Sequence, residues 1–304
     1  MQGMVELSGK TAVVTGGGSG IGRALALAFS AEGMNVVVAD VDLPAARETV
    51  ELLTQATPDA LAAVFSCDVS KADDVEALAE HAIAEFDAVH VLCNNAGVGG
   101  GGMLDECSLE TWEWVLGVNL WGVIHGVKTF LPKLLAQNEG HIVNTASIAG
   151  HTSFPSMGPY NVSKHAVVTL SETMLAEMQQ RVSDVGVSVL CPGFVATNIL
   201  DSERHRPERL MDPTPVGDGA AAGGTEGDAA DAPDPEAIRA MAVDAYAAQL
   251  EPEVVATLVV DAVKGGQFYI FTDDKFDTEV AARHTDIQQR RVPTSHGQLW
   301  ERLF

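Results

Sequence analysis

Short apolar runs alternate with helical spacings along almost the whole chain, and this alternation restricts the fold more than any other feature. "TAVVTG" (11–16) is a β-branched run closed by glycine, followed by Ile21, Ala24, Leu25, Ala28 and Phe29 at helical spacing. Then come "NVVVAD" (35–40), a helix from about Pro44, "AAVFSCDV" (62–69) and the helix "ADDVEALAEHAIAEF". "VHVLCNNAG" (89–97) leads to one long helix through Trp112, Leu116, Leu120, Val123 and Val127. The last strands are "GHIVNTAS" (140–147), "GVSVLCPG" (186–193) and "QFYIFT" (267–272). Seven continuous apolar strands, most followed by a helix, predict a parallel sheet covered on both faces. Right-handed crossovers make this a doubly wound, Rossmann-like α/β fold.

Length and charge narrow the partners. A chain of 304 residues with 46% hydrophobic residues can bury a sizeable core. A formal net charge of -24 disfavours nucleic acid and anionic membrane as partners. No window reaches the roughly 18 uninterrupted apolar residues of a membrane span, and the first residues lack a secretory pattern. Cys67, Cys93, Cys107 and Cys191 form no Cys-x-x-Cys pair and read as reduced thiols of a cytoplasmic protein. The histidines show neither His-x-x-x-His nor His-Glu-x-x-His, so no metal site is expected.

One segment breaks the rhythm. Residues 212–235, "DPTPVGDGAAAGGTEGDAADAPDP", hold six acids, no base and no aromatic. Such a composition buries too little surface to offset its ordering entropy, which predicts a disordered acidic insert. The β-α pattern resumes beyond it, so 1–304 is expected to be one domain, with residues 273–304 as a C-terminal extension. The pieces flanking the insert, "ERHRPERL" (203–210) and "EAIRAMAVDAYAAQL" (236–250), read as a helical lid after the sixth strand.

Two local patterns carry chemistry. "TGGGSGIG" (15–22) stands between the first strand and the first helix. Its glycines allow a tight turn and a close approach to pyrophosphate at the helix N-terminus. Asp40 ends the second strand, where a carboxylate can bond adenosine ribose hydroxyls and repel a 2′-phosphate. No lysine or arginine occupies 17–19 or 41, so NAD is favoured over NADP. In "GPYNVSKHA" (158–166), Tyr160 and Lys164 lie one helical turn apart on the same face. A nearby ammonium favours the phenolate, whose ordinary pKa is about 10. The pair is a candidate acid/base.

With these motifs the chain resembles the short-chain dehydrogenase/reductase family from about Leu7 to Thr272. The resemblance rests also on "CDVS" (67–70), "NNAG" (94–97), "GVNLWG" (117–122), "NTAS" ending in Ser147, and "PGFVAT" (192–197). It implies a catalytic group of Asn119, Ser147, Tyr160 and Lys164. Tyr160 would exchange the hydroxyl proton, Ser147 would bond the substrate oxygen, and Lys164 would hold the nicotinamide ribose. Asn119 would hold a water that links Lys164 to solvent. The same resemblance implies cofactor contacts from Gly16, Ser19, Gly20, Ile21, Gly22, Asp40, Asp68, Val69, Asn95, Ala96, Gly97, Tyr160, Lys164, Pro192, Gly193, Val195 and Thr197. Asp68 and Val69 would flank the adenine, Asn94 would shape the loop over the cofactor, and Thr197 would bond the carboxamide. A homotetramer or dimer built on the Asn119 and Tyr160 helices is implied as well.

The substrate is expected beyond the C-terminal strand ends, with Met103, Phe154, Met157 and Phe194 as apolar walls and Ile199 and Leu200 beside them. That suits a bulky hydrophobic secondary alcohol or its ketone: aromatic, terpenoid or steroid-like. Other readings stay open: an NADPH-preferring carbonyl reductase, an enoyl reductase of the same fold, and a non-catalytic dinucleotide-binding or partner-binding module.

Overall fold

The computed structural model describes residues 3–211 and 250–293. The acidic insert and the piece 236–249 lie outside the described residues, and so does the end of the C-terminal extension. The elements are β1 (Thr11–Thr15), α1 (Gly20–Ala31), β2 (Asn35–Asp40), α2 (Leu43–Ala56), β3 (Ala62–Ser66), α3 (Ala72–Phe86) and β4 (Val91–Asn94). After them come α4 (Leu109–Leu116), α5 (Gly122–Gln137), β5 (His141–Thr145), α6 (Gly158–Arg181) and β6 (Gly186–Cys191). The chain closes with α7 (Pro252–Gly265), β7 (Tyr269–Phe271) and α8 (Asp277–Gln289).

All seven strands run parallel in the order β3-β2-β1-β4-β5-β6-β7. The order reverses between β1 and β4, and their C-terminal ends open the crevice in which such folds bind ligands. Strands β1, β4, β5 and β6 are buried throughout because helices cover both faces, which is why they read as continuous apolar runs. On one face α1 packs against α7 through Leu25, Phe29, Val255 and Val259. On the other, Phe130, Leu134 and Met178 close over Leu92 and Ile142.

Two helical expectations change form. The long helix through Trp112 and Val127 is interrupted at Gly117–Trp121 by a π turn, which separates α4 from α5. Such turns insert one residue and re-aim a side chain, here Asn119. The expected helix over 203–210 is replaced by two 3-10 segments, Asn198–His205 and Glu208–Leu210. Pro207 accounts for the break: it cannot donate a hydrogen bond, and it forces Arg206 to extended backbone at φ -68, ψ 125. All four cysteines are free thiols. No helix among the described residues is long and apolar enough to cross a membrane.

One buried group makes the sheet acid-sensitive. His141 on β5 is fully buried, where Gly186 leaves room for its ring, and its Nε2 lies 2.7 Å from Ser188 Oγ. Burial pushes its pKa down to about 4. The unfolded chain, with a histidine near 6.5, takes up the proton first as pH falls. Stability is therefore full above about pH 6.5 and declines towards pH 4, by about 1.4 kcal/mol per pH unit for this group. Thermal unfolding between pH 7 and pH 4.5 should show the decline, and His141→Gln, which cannot take up the proton, should flatten it. Parallel slopes for parent and variant would refute the assignment.

Candidate active site

The glycine turn is built for a close approach. Gly16 and Gly20 adopt left-handed backbone at φ +64 and φ +49, where a side chain would be strained. A Cβ on Gly22 would stand 2.0 Å from the Gly16 carbonyl oxygen, so the α1 N-terminus can meet the turn only through glycine. Ser19 makes no side-chain cap to α1, and the first turn carries no acid. The uncapped N–H groups and the positive end of the helix dipole favour an anion here.

Asp40 fixes the same turn. Its Oδ2 accepts from Gly18 N at 2.8 Å and its Oδ1 from Asp42 N at 2.9 Å. Arg23 holds the other side of Gly18, donating from Nη2 to Gly18 O at 2.7 Å and pairing with Glu48 at 2.7 Å. Sequence reasoning missed Arg23, because it looked for a base only at 17–19 and 41. On β4, Asn95 rather than Asn94 ties the cofactor loop. Asn95 N and Ala96 N donate to Thr15 Oγ1 at 3.0 and 3.1 Å, and Asn95 Nδ2 donates to Thr15 O. Asn94 instead points into the core and donates to Asn144 Oδ1 at 2.9 Å. The strand pleat sends neighbouring side chains to opposite faces, so only one of the two can reach the loop.

Pro159 opens α6 and sets Tyr160 and Lys164 on one face, toward Ser147 at the end of β5. Ser147 Oγ accepts from Ala149 N at 3.1 Å and lies 3.4 Å from Pro192 O. Lys164 Nζ donates to Thr145 O at 3.0 Å and stands 5.5 Å from the Tyr160 ring centroid. Burial lowers the Lys164 ammonium to about 8, with Cys191 acting in the opposite sense. Burial raises the Tyr160 phenol, and its hydrogen bond with Ser147 acts against that. The expected depression of the phenol is therefore not what the protein alone shows: burial dominates, and the Ser147 hydrogen bond is what acts against it. Asn119 is fully buried; its Oδ1 accepts from Val98 N at 2.8 Å and its Nδ2 donates to Val98 O at 2.9 Å. Its side-chain amide is thereby tied to the loop after β4.

A cleft of about 1170 Å³ runs from Asp40 and the glycine turn to Ser147, Tyr160 and Lys164. Every cofactor residue named from the sequence lines it: Gly16, Ser19, Gly20, Ile21, Gly22, Asp68, Val69, Asn95, Ala96, Gly97, Pro192, Gly193, Val195 and Thr197 included. Phe154, Met157 and Phe194 line the far end with Ile199 and Leu200. Met103 does not: it is 40% exposed beyond the mouth, where Ser156 Oγ reaches its sulfur at 3.3 Å. The arginines of 203–210 are not all solvated. Arg206 is buried, stacks on Trp114 at 5.3 Å and donates to Thr111 Oγ1 at 2.8 Å, which staples the loop after β6 to α4.

A dinucleotide-sized crevice at the sheet's switch point, ending on a phenol, an ammonium and a hydroxyl, defines a doubly wound oxidoreductase. The chain belongs to the short chain dehydrogenase family, whose sequence model matches residues 10–208. It is similar to a short chain dehydrogenase/reductase from Burkholderia phymatum, solved in complex with NAD, at 44% identity and a TM-score of 0.86. That likeness covers 96% of this chain and 99% of the other. A cyclohexanol dehydrogenase from Acinetobacter sp. strain SE19 is 34% identical over 196 residues, 64% of this chain and 76% of that protein. A CLA biosynthesis dehydrogenase/reductase from Lactiplantibacillus plantarum is 32% identical over 212 residues, 69% and 73% of the two chains.

Proposed function

We propose that this chain is an NAD-dependent oxidoreductase that interconverts a bulky apolar secondary alcohol and its ketone. The observation that carries the reading is the shared cleft: Tyr160, Ser147 and Lys164 converge at one end, while the uncapped α1 N-terminus and Asp40 stand at the other. The residues fit a dinucleotide. The α1 N-terminus would hold the pyrophosphate, Asp40 the adenosine ribose, Asp68 and Val69 the adenine, and Lys164 and Thr197 the nicotinamide end. Bound in its oxidised form, NAD would accept the hydride and add a positive charge beside the phenol.

The protein's own part is proton handling and orientation. Ser147 donates to the substrate oxygen, and Tyr160 takes the hydroxyl proton in oxidation or returns it in reduction. Lys164 keeps a positive charge below the phenol and favours its ionised form. Asn119 contributes by fixing Val98, and with it the loop that borders Lys164: a Cβ on Gly97 would lie 3.6 Å from Lys164 Nζ. The apolar far end and the likeness to a cyclohexanol dehydrogenase support a cyclic or similarly bulky substrate. Arg23 gives an NADP reading one foothold near Asp40, but its guanidinium is held by Glu48 and the Gly18 carbonyl.

The test is incubation with NAD or NADP and a panel of secondary alcohols and ketones, followed by nicotinamide absorbance. Turnover of cyclic alcohols with NAD is the expected result. Binding of NAD without turnover of any alcohol or ketone would move the reading to a non-catalytic dinucleotide-binding protein.

A further inference from the structure

Phe276 lies outside the residues matched by the family model, at the start of α8, and is 3% exposed. Its ring meets Phe154 edge-on at 6.4 Å and Phe194 at 5.9 Å, and those two rings line the far end of the cleft. The same apolar cluster includes Met157 and the Tyr160 ring. Phe276 itself does not line the cleft. It stands behind the wall.

The segment carrying it is fastened to the loop after β6. Gly193 N donates to Thr272 Oγ1 at 3.0 Å, and Asp273 Oδ1 accepts from Lys275 N at 3.0 Å. A Cβ on Gly193 would come within 2.6 Å of Asp273 Oδ2 and 3.3 Å of the Phe276 ring. Glycine at 193 thus lets the C-terminal segment close against the Pro192–Phe194 turn.

We infer that Phe276 is a positioning residue for substrate selection: it wedges Phe154 and Phe194 apart and sets the width of the apolar wall facing Tyr160. The inference rests on the alcohol/ketone reading above. A wall of aromatic rings backed by Phe276 suits a flat or cyclic apolar group. Removing the wedge loosens the packing behind Phe154 and Phe194, so a ring-bearing substrate loses contact and orientation while a small one is less affected.

The experiment compares the full-length parent with Phe276→Ala and Phe276→Leu, using cyclohexanol and 2-propanol with NAD. The ratio of KM for cyclohexanol to KM for 2-propanol should rise about tenfold in the alanine variant, the scale on which apolar pockets discriminate. Leucine keeps apolar volume but no ring, so its shift should be smaller and in the same direction. If alanine prevents folding, the leucine variant carries the test. Titration with NAD should give a Kd close to the parent's for both, since Phe276 stands behind the apolar wall and does not line the cleft. A ratio that stays at the parent's value, or an equal rise for both alcohols, would overturn the inference. If the parent oxidises neither of these two alcohols, the wedge is read instead by binding of 1-naphthol through its fluorescence, and the alcohol/ketone reading is judged separately on the wider panel. Weaker binding in the variants supports the wedge and unchanged binding removes it.

Discussion

Tyr160→Phe should lower kcat for alcohol oxidation by about 10²- to 10⁴-fold, the range for loss of a positioned acid/base, while NAD binds as before. The change removes one hydroxyl and keeps the ring that packs in the cluster with Ile148 and Phe154. Oxidation needs the ionised phenol and reduction the protonated one. The parent's oxidation rate should accordingly rise with pH, and its ketone reduction should fall once the phenol ionises. In the variant both slopes should vanish with the activity. A variant that retains a tenth of the parent's kcat at every pH would exclude Tyr160 as the acid/base.

Asp40→Ala combined with Val41→Arg should move the NADP/NAD ratio in kcat/KM by about 10- to 100-fold toward NADP, the worth of a hydrogen bond to a charged group. The alanine removes a carboxylate from the cleft, and the arginine adds a donor fork suited to a phosphate. Val41 is 52% exposed and lines the cleft, so a long side chain meets no packing obstacle there. Asp40 also pins Gly18 and Asp42, so the double variant should bind both cofactors less tightly than the best achievable. The ratio, not the affinity, carries the answer. An unchanged ratio would mean that Asp40 serves only to hold the turn.

The sheet was legible because parallel strands covered on both faces read as near-continuous apolar runs, and "TAVVT", "NVVVA" and "GVSVLC" do so with few polar positions and no strict alternation. Tyr160, Lys164 and Ser147 were legible because a helix turn and a strand end place them by local geometry alone. What escaped depended on distant contacts or on a single residue of register. The π turn that buries Asn119 leaves no composition signal in "GVNLW". Whether Asn94 or Asn95 reaches the loop is decided by the pleat, and Gly126 across the core leaves room for Asn94, since a Cβ there would meet Asn94 Oδ1 at 2.0 Å. Pro207 is a readable signal against a helix over 203–210. Met103 looked like a wall because it follows a glycine run, but it is exposed and does not line the cleft. Phe276 could not be found from sequence, since its importance comes from two rings more than 80 positions away.

The central claim is hydride transfer between a secondary alcohol and NAD, and isotope transfer tests it most directly. Cyclohexanol deuterated at its carbinol carbon is mixed with the protein and NAD in ordinary water, and the reduced nucleotide is examined by mass spectrometry. The account requires the deuterium to appear in the dihydronicotinamide, with ketone formed in equal amount. Reduced nucleotide without the label, or no reduced nucleotide with any secondary alcohol tried, would contradict it.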